Sequence, residues 1–373
     1  MTPGVRVAVR GTLGRMSTER PQLKAALRRV WRDGSTLQLG VDPRTAVVIS
    51  GLDPGSARLL ESLDGSRDLR GLAVGAARLG LDAGRLDELL SLLGRAGVLE
   101  DGAADHGALA GLSPAERDRL APDLAAASLL RTDTDGVSVL ARRRRSVVQV
   151  CGAGRVGASV VTLLASAGVG AVVVEDAGTT QPADVAPAAA APEDVGARRQ
   201  DAALRAARRV APSVTTTLPA GRAAPDVAVL AGGPGSDHAV ADRMVRGGVP
   251  HLVARVRETT GVVGPLVLPG RTSCQRCHDL HRSDRDPAWP SIAAQLSAAS
   301  RHRSAACDSV LATAVAAHAA LQVLAFLDGD PAPPAVDGTL EISQADGRVR
   351  RRSWVAHPAC GCSWGHLAEP GSG

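Results

Sequence analysis

The sequence predicts an α/β protein: a Rossmann-type doubly wound sheet, preceded by an α+β winged-helix module and followed by a C-terminal tail tied by zinc. Three observations lead there. A strand, a glycine turn, a helix, a second strand and an acid follow one another from Ser146 to Asp176. Short strand patterns and three helical patterns share the segment from Pro21 to Asp101, and two close cysteine pairs stand far apart in the last third of the chain. The expected organisation is a loose tail (1–20), the winged-helix module (21–102), a helical connector (103–145), the Rossmann domain (146–345) and a hairpin with the zinc-binding tail (346–373).

Composition sets the outer bounds. A chain of 373 residues is long enough for two domains and a small module. There is no Tyr, one Phe (Phe326) and four Trp, so aliphatic side chains must fill the interior. The one lysine is Lys24, and the remaining positive charge is arginine. An Ala/Gly/Arg/Pro excess is what a GC-rich genome gives, so a pI of about 9.2 is not taken as a nucleic-acid signal; no aromatic platform for bases accompanies it. The N-terminus lacks the apolar core of a signal peptide, and no uninterrupted membrane-length apolar run stands out. A cytoplasmic protein is expected, with cysteines serving as metal ligands or core thiols rather than disulfides.

In chain order, a helix is expected around Leu23 to Trp31, then strands at Thr36–Leu39 and Ala46–Ile49 across a Gly-Val-Asp-Pro turn. Asp53-Pro54 and Asp68 open the next two helices, and a third runs from Ala83 to Ala96 before a closing strand at Val98-Leu99. That third helix carries Arg85, Asp87, Glu88 and Arg95, a mixed face unlike the basic face DNA needs, so a peptide or protein partner is expected over DNA. The connector holds one helix opened by Ser113-Pro-Ala-Glu116. Arg142 to Arg145, just before the Rossmann strand, read as a solvated face or as a clamp on phosphate or on an acidic partner.

The glycine turn is Gly152-Ala-Gly154-Arg-Val-Gly157. The first glycine permits the tight turn, the second lets the backbone approach a phosphate, and the third lets helix and strand pack closely. Asp176, closing the second strand, stands where it can accept hydrogen bonds from ribose hydroxyls. The same glycines would also suit a tight turn that binds nothing. After a Pro/Ala-rich loop (181–192) the pattern gives a helix from Glu193 to Val210, a strand Val227–Leu230, a loop Gly232–Gly235, a helix from Asp237, and strands at His251–Val256 and Val262–Leu268. Ala305–Leu327 is a long apolar helix expected to be buried, His318 included. A hairpin (Leu340–Ser343, Val349–Val355) leads to the last cysteines.

Cys274-Gln-Arg-Cys277 and Cys360-Gly-Cys362 can each fill two corners of a tetrahedral zinc, Zn2+, in a closed structural site. The tight CxC spacing leaves His278, His281, His357 or His366 as alternatives for one thiolate. Cys151 reads as a core thiol. Cys307, at a helix start, reads either as structural or as a nucleophile with no evident base.

Glycine loop, ribose acid, long apolar helix, the run Leu164-Ala-Ser-Ala-Gly-Val-Gly170 and the two cysteine pairs together resemble the ThiF/MoeB family, adenylyltransferases related to ubiquitin-activating enzymes. The resemblance implies an ATP-binding fold that adenylates the C-terminus of a small protein or peptide, a structural zinc and a homodimer. Carried over by position, the family's second acid falls on Gly178, its Asn-x-x-Arg stretch near Asp184 to Pro187, its phosphate-binding lysine on Arg199, and its magnesium-binding Asp on Gly233. ATP is thus still allowed, while Mg2+ loses its ligand unless Asp237 replaces it. An active enzyme would have to use Arg155, Arg199 and Asp237 in shifted roles.

The whole chain also resembles the peptide-binding component of cyclodehydratase systems. There a PqqD-like winged-helix module takes a leader peptide by strand addition, and the ThiF-like part supports a YcaO-type partner enzyme. That resemblance implies a binding scaffold; the alternative is an active ATP-dependent adenylyltransferase. The segment Cys277–Pro290 reads as partner-contact surface or as a zinc-anchored loop. A nicotinamide-dependent oxidoreductase is disfavoured, because no proton-transferring His, Tyr or Lys stands near the strand ends.

Overall fold

In the computed structural model, residues 6–8, 19–103, 106–131, 134–299, 306–330 and 332–362 are described, and the chain divides into two compact units, residues 1–141 and 142–373. The first unit has β1 (Arg6–Ala8), β2 (Pro21–Leu23), β3 (Arg29–Asp33), β4 (Thr36–Leu39) and β5 (Val47–Ser50), then α1 (Pro54–Glu61), α2 (Leu69–Arg78), α3 (Ala83–Arg95) and β6 (Leu99–Asp101). An antiparallel sheet runs β1-β5-β4-β3, and β2 pairs with β6. Asp53, Asp68 and Asp82 each cap a helix, their carboxylates accepting the N–H of Ser56, Gly71 and Arg85. Leucines at helical spacing (Leu59, Leu63, Leu72, Leu86, Leu89, Leu93) pack with Leu37, Leu39, Val47 and Ile49 of the alternating strands.

Two expectations fail here. The segment Leu23 to Trp31 is a strand, a turn and a second strand rather than a helix. Its apolar residues fit either pattern, and tertiary pairing decides: Leu23 lies opposite Leu99, and Val30 and Trp31 lie opposite Gln38 and Leu37. Within the stretch expected as a loose tail, Arg6–Ala8 pairs with β5; the rest of residues 1–18 lies outside the described residues.

Two helices complete the connector, α4 (Pro114–Leu130) and α5 (Gly136–Arg145), where one was expected. Ser113 and Glu116 close a capping box on α4. Lys24 finds its role at the other end of that helix. It is 2% exposed, and its ammonium donates to the carbonyls of Ser128 and Arg131, both at 2.5 Å. The Ser128 carbonyl belongs to the last turn of α4, and Arg131 is its C-cap residue. Lys24→Met, which keeps the stem and deletes the donor, is expected to cost about 2–4 kcal/mol in urea unfolding; a loss below about 0.5 kcal/mol would show that the ammonium does not anchor α4.

The second unit contains β7 (Val147–Cys151), α6 (Arg155–Ser166), β8 (Ala171–Glu175), α7 (Arg199–Val210), β9 (Val227–Leu230), α8 (Pro234–Arg246), β10 (His251–Arg257), β11 (Thr260–Val267), α9 (Gln275–Arg285), α10 (Trp289–Ala299), α11 (Ser309–Leu327), β12 (Gly338–Ser343) and β13 (Val349–Ser353). They build one seven-stranded sheet, ordered β13-β12-β11-β10-β9-β7-β8. Four strands, β8-β7-β9-β10, are parallel, as expected of a Rossmann-type sheet. The rest is antiparallel, so the sheet as a whole is mixed. Only Glu258 and Thr259 separate β10 from β11, which leaves room for a hairpin and none for a crossover helix.

Alternation along the strands splits the side chains between two layers. Val148, Val150, Val227 and Val229 pack with residues of α6, α7 and α11, and Cys151, Ala228 and Leu230 pack with α8. Contrary to expectation, α11 is buried on one side only: Leu311, Val315, Ala319 and Val323 are in the core, whereas Val310 and Leu321 are 78% and 59% exposed and His318 is half-buried. By length and composition α11 could cross a membrane; its core-facing side packs in the layer with α6 and α7.

The helix after the Pro/Ala-rich loop begins at Arg199 rather than Glu193, and Cys277–Pro290 forms α9 and the start of α10 rather than a loop. Arg143, read as solvated or as a clamp, is instead a tie. Its guanidinium donates to both carboxylate oxygens of Asp328, at 2.8 and 2.6 Å, while Arg142 donates to the Asp328 carbonyl.

Candidate functional site

The glycine loop lies between the carboxyl end of β7 and the amino end of α6, beside β9. The two connections that leave β7 and β9 part here, which in open α/β sheets is where ligands bind. Gly152 has φ +98°, and a Cβ on it would come within 2.6 Å of Ala231 and Gly232. A Cβ on Gly157 would fall 1.8 Å from the Gly152 carbonyl oxygen. Gly154 differs. It caps α6 with no side-chain bond, its φ of −70° suits any residue, and the nearest atom to an added Cβ is Asp184 Oδ1 at 3.8 Å.

Asp176 closes the loop. Its Oδ2 accepts the N–H of Ala153 and its Oδ1 that of Gly178, both at 2.7 Å. The carboxylate shapes the turn on either side of it; each oxygen keeps a further lone pair with which a ribose hydroxyl could bond.

Of the three residues nominated for chemistry, Arg155 and Arg199 meet at the turn of Ala183 and Asp184, and Asp237 stands apart. Arg199 donates from Nε to Asp184 Oδ2 at 2.8 Å. Arg155 donates to the Ala183 carbonyl at 2.5 Å and to the Cys307 carbonyl at 2.7 Å. Asp237 stands in the first turn of α8, in the other layer. It is buried, its Oδ1 accepts the Gly232 N–H at 3.1 Å, and Oδ2 has no hydrogen-bond donor, with Arg255 3.8 Å away. Burial pushes its pKa up to about 6. Gly233, where the resemblance places the magnesium-binding acid, has φ 104° and ψ 172°, a conformation an aspartate would hold only with strain.

Sequence reasoning missed the role of Asp184. The turn Gln181-Pro182-Ala183-Asp184 is repeated as Ala191-Pro192-Glu193-Asp194, and in each the Asp carboxylate accepts the backbone N–H three residues earlier. Each Asp is also paired with an arginine of α7, Asp184 with Arg199 and Asp194 with Arg205. That repeat of Pro-x-Asp was the available signal. Of the other thiols, Cys151 is pushed up to about 12 chiefly by burial, and burial raises Cys307 as well, so neither is an activated nucleophile.

The cysteine pairs do come together. Cys274 and Cys277 follow β11, Cys360 and Cys362 follow β13, and all four sulfurs lie within 4.8 Å of one another. The closer separations are 3.8 Å (Cys274 to Cys277), 3.5 Å (Cys274 to Cys360) and 3.4 Å (Cys277 to Cys362). A tetrahedron with Zn–S bonds of about 2.3 Å has edges of about 3.8 Å, so the donor set and its spacing fit zinc. No histidine replaces a thiolate among the described residues. His278 stacks on Trp354 at 4.4 Å, and His281 bonds to the Val355 carbonyl; His366 lies outside the described residues. His281, Asp284 and His357 form a second group, but the His357 Nδ1 accepts the Ala359 N–H, so its Nε2 carries the proton and donates to Asp284. The described part of the tail is thus held by rings and hydrogen bonds beside the thiols.

Residues 127–231 match the ThiF family. No curated protein matches the chain. Among solved structures, Escherichia coli MccB bound to ATP is similar at a TM-score of 0.66 and 15% identity, over 92% of this chain and 99% of that one. The same figures hold for MccB in complex with N-formylated MccA, described there as a microcin C7 biosynthetic enzyme. PaaA is similar at a TM-score of 0.66 and 17% identity, over 88% of this chain and 99% of that one. The fold is therefore of the ThiF/MoeB kind over nearly the full length of both neighbours.

Proposed function

We propose that this protein, with its ThiF-like fold, is a peptide- or partner-binding scaffold of ribosomal peptide modification that does not itself turn over ATP. One observation carries the reading: the two arginines nominated for nucleotide chemistry are already engaged, and no carboxylate stands at the magnesium position. Arg199 is neutralised by Asp184, Arg155 is held by two backbone carbonyls, Asp237 lies in the other layer, and Gly233 stands in place of the magnesium ligand. Metal-held charge neutralisation is what nucleotidyl transfer needs most. MccB, solved with ATP and, separately, with AMPCPP and MccA, supports the peptide part by similarity of fold.

In this reading residues 21–102 are the winged-helix module, and the peptide adds as a strand to β3. That strand is one edge of its sheet among the described residues, is exposed along its whole length, and carries Trp31 and Val30, each 44% exposed, between Arg29 and Arg32. Backbone bonds would supply affinity, and the apolar pair and arginines would favour a peptide with apolar and acidic side chains. The active site then belongs to a separate YcaO-type partner enzyme, and the ThiF-like unit, as a homodimer holding structural zinc, mounts the module.

The alternative, an active adenylyltransferase, draws on the amino end of α6, where Gly154 makes no side-chain capping bond. ATP-pyrophosphate exchange separates the two. The full chain is expected to show none, whereas exchange abolished by Asp176→Ala would sink the scaffold reading. For the peptide, polarisation titration of the full chain with labelled precursor peptides encoded nearby should give saturable binding that Trp31→Ala weakens about tenfold; tight DNA binding and no peptide binding would reverse the assignment.

A further inference from the structure

We propose that Asp184 is an internal anion occupying the phosphate position over the amino end of α6, so that a nucleotide phosphate can bind only by displacing it. The inference deepens the scaffold reading and rests on it. Backbone N–H groups at the start of a helix form an anion site, and the second glycine of such a loop lies where the backbone meets the phosphate. In this chain the atom nearest to a Cβ built on Gly154 is Asp184 Oδ1, 3.8 Å away.

Three further features hold it there. Asp184 is 8% exposed, and its other oxygen accepts from the Gln181 N–H and from Arg199 Nε, both at 2.8 Å. Arg199 sits beside the same loop: its backbone N–H donates to the Gly178 carbonyl, and its Nη1 lies 3.2 Å from where a Gly178 Cβ would be. Thus the cation best placed to meet a phosphate is already paired. Arg155, the first residue of α6, donates to the carbonyl of Ala183 and straps the turn that carries Asp184 down onto the helix.

A carboxylate in this position repels an incoming phosphate and withholds Arg199 from it. Replacing the charge alone should therefore open the site. Asp184→Asn keeps the size and an oxygen for the Gln181 N–H; Asp184→Ser, a shorter cap, is the second variant should the first fold poorly. Asp194→Asn is the control. Asp194 caps the equivalent turn and pairs with Arg205 but does not stand over Gly154.

The test is calorimetric titration of the full chain with inorganic pyrophosphate and with magnesium-ATP at fixed ionic strength. Expected are weak binding by the wild type and by Asp194→Asn, and at least about tenfold tighter binding by Asp184→Asn or Asp184→Ser, as removal of a like charge at close range implies. Unchanged affinity in the Asp184 variants would overturn the proposal. So would weaker magnesium-ATP binding, the result a metal-ligating Asp184 would give. Pyrophosphate exchange by the wild type would instead overturn the scaffold reading, and the ratio of affinities would still decide the role of Asp184.

Discussion

Purified protein is expected to carry close to one equivalent of zinc, and Cys277→Ser is expected to lose it and to release the C-terminal tail. The four thiols join two segments, the start of α9 and the turn after Trp354, beside the ring and hydrogen-bond contacts of His278, His281 and His357. Cys274 and Cys277 are buried, and packed against them are Val245, Val267 and the two tail cysteines, a cluster too small to order a tail alone. Zinc binding at such a site supplies on the order of 10 kcal/mol, more than a typical single core contact. Metal loss should therefore expose the segment around Val355 to Cys362 to protease while the parallel half of the sheet stays folded. Metal analysis and limited proteolysis read this directly. Less than about half an equivalent of zinc, unchanged by replacing Cys274 and Cys277, would refute the site.

What the sequence made legible was whatever is written locally. Asp53 and Asp68 before their helices, and the alternation in β4 and β5, gave most of the first unit, because caps and side-chain periods act over a few residues. The β7-α6-β8 unit and the cysteine pairs were legible for the same reason: their spacing is itself the signal. What was not legible falls where a distant partner decides. Lys24 and Leu23 are drawn into their places by α4 and Leu99, so a stretch with helical spacing becomes strand and turn. β11 turns back on β10, making half the sheet antiparallel, and only the brevity of Glu258-Thr259 hinted at it. The ion pair of Asp184 with Arg199 spans a loop whose Pro and Ala residues look featureless, yet it decides how the glycine loop is filled.

Gly157→Ala is expected to unfold or severely destabilise the protein, and Gly154→Ala to leave stability unchanged, although both glycines belong to one motif. A methyl on Gly157 would fall 1.8 Å from the carbonyl oxygen of Gly152 and 3.3 Å from the Ala231 side chain. Backbone cannot yield as a flexible side chain does, so α6 would have to lift from β7 and β9, opening the layer that holds Val160, Val161 and Leu164. A cost of at least about 3 kcal/mol follows. At Gly154 the backbone is ordinary and the nearest atom is 3.8 Å away, so the change should fall within about 0.5 kcal/mol. Urea unfolding of the two variants tests the contrast, and equal losses would refute the packing argument. The difference separates the two uses of the motif. Gly152 and Gly157 are required by the chain's own atoms, whereas at Gly154 only what approaches the amino end of α6, Asp184 or a phosphate, has reason to need a glycine.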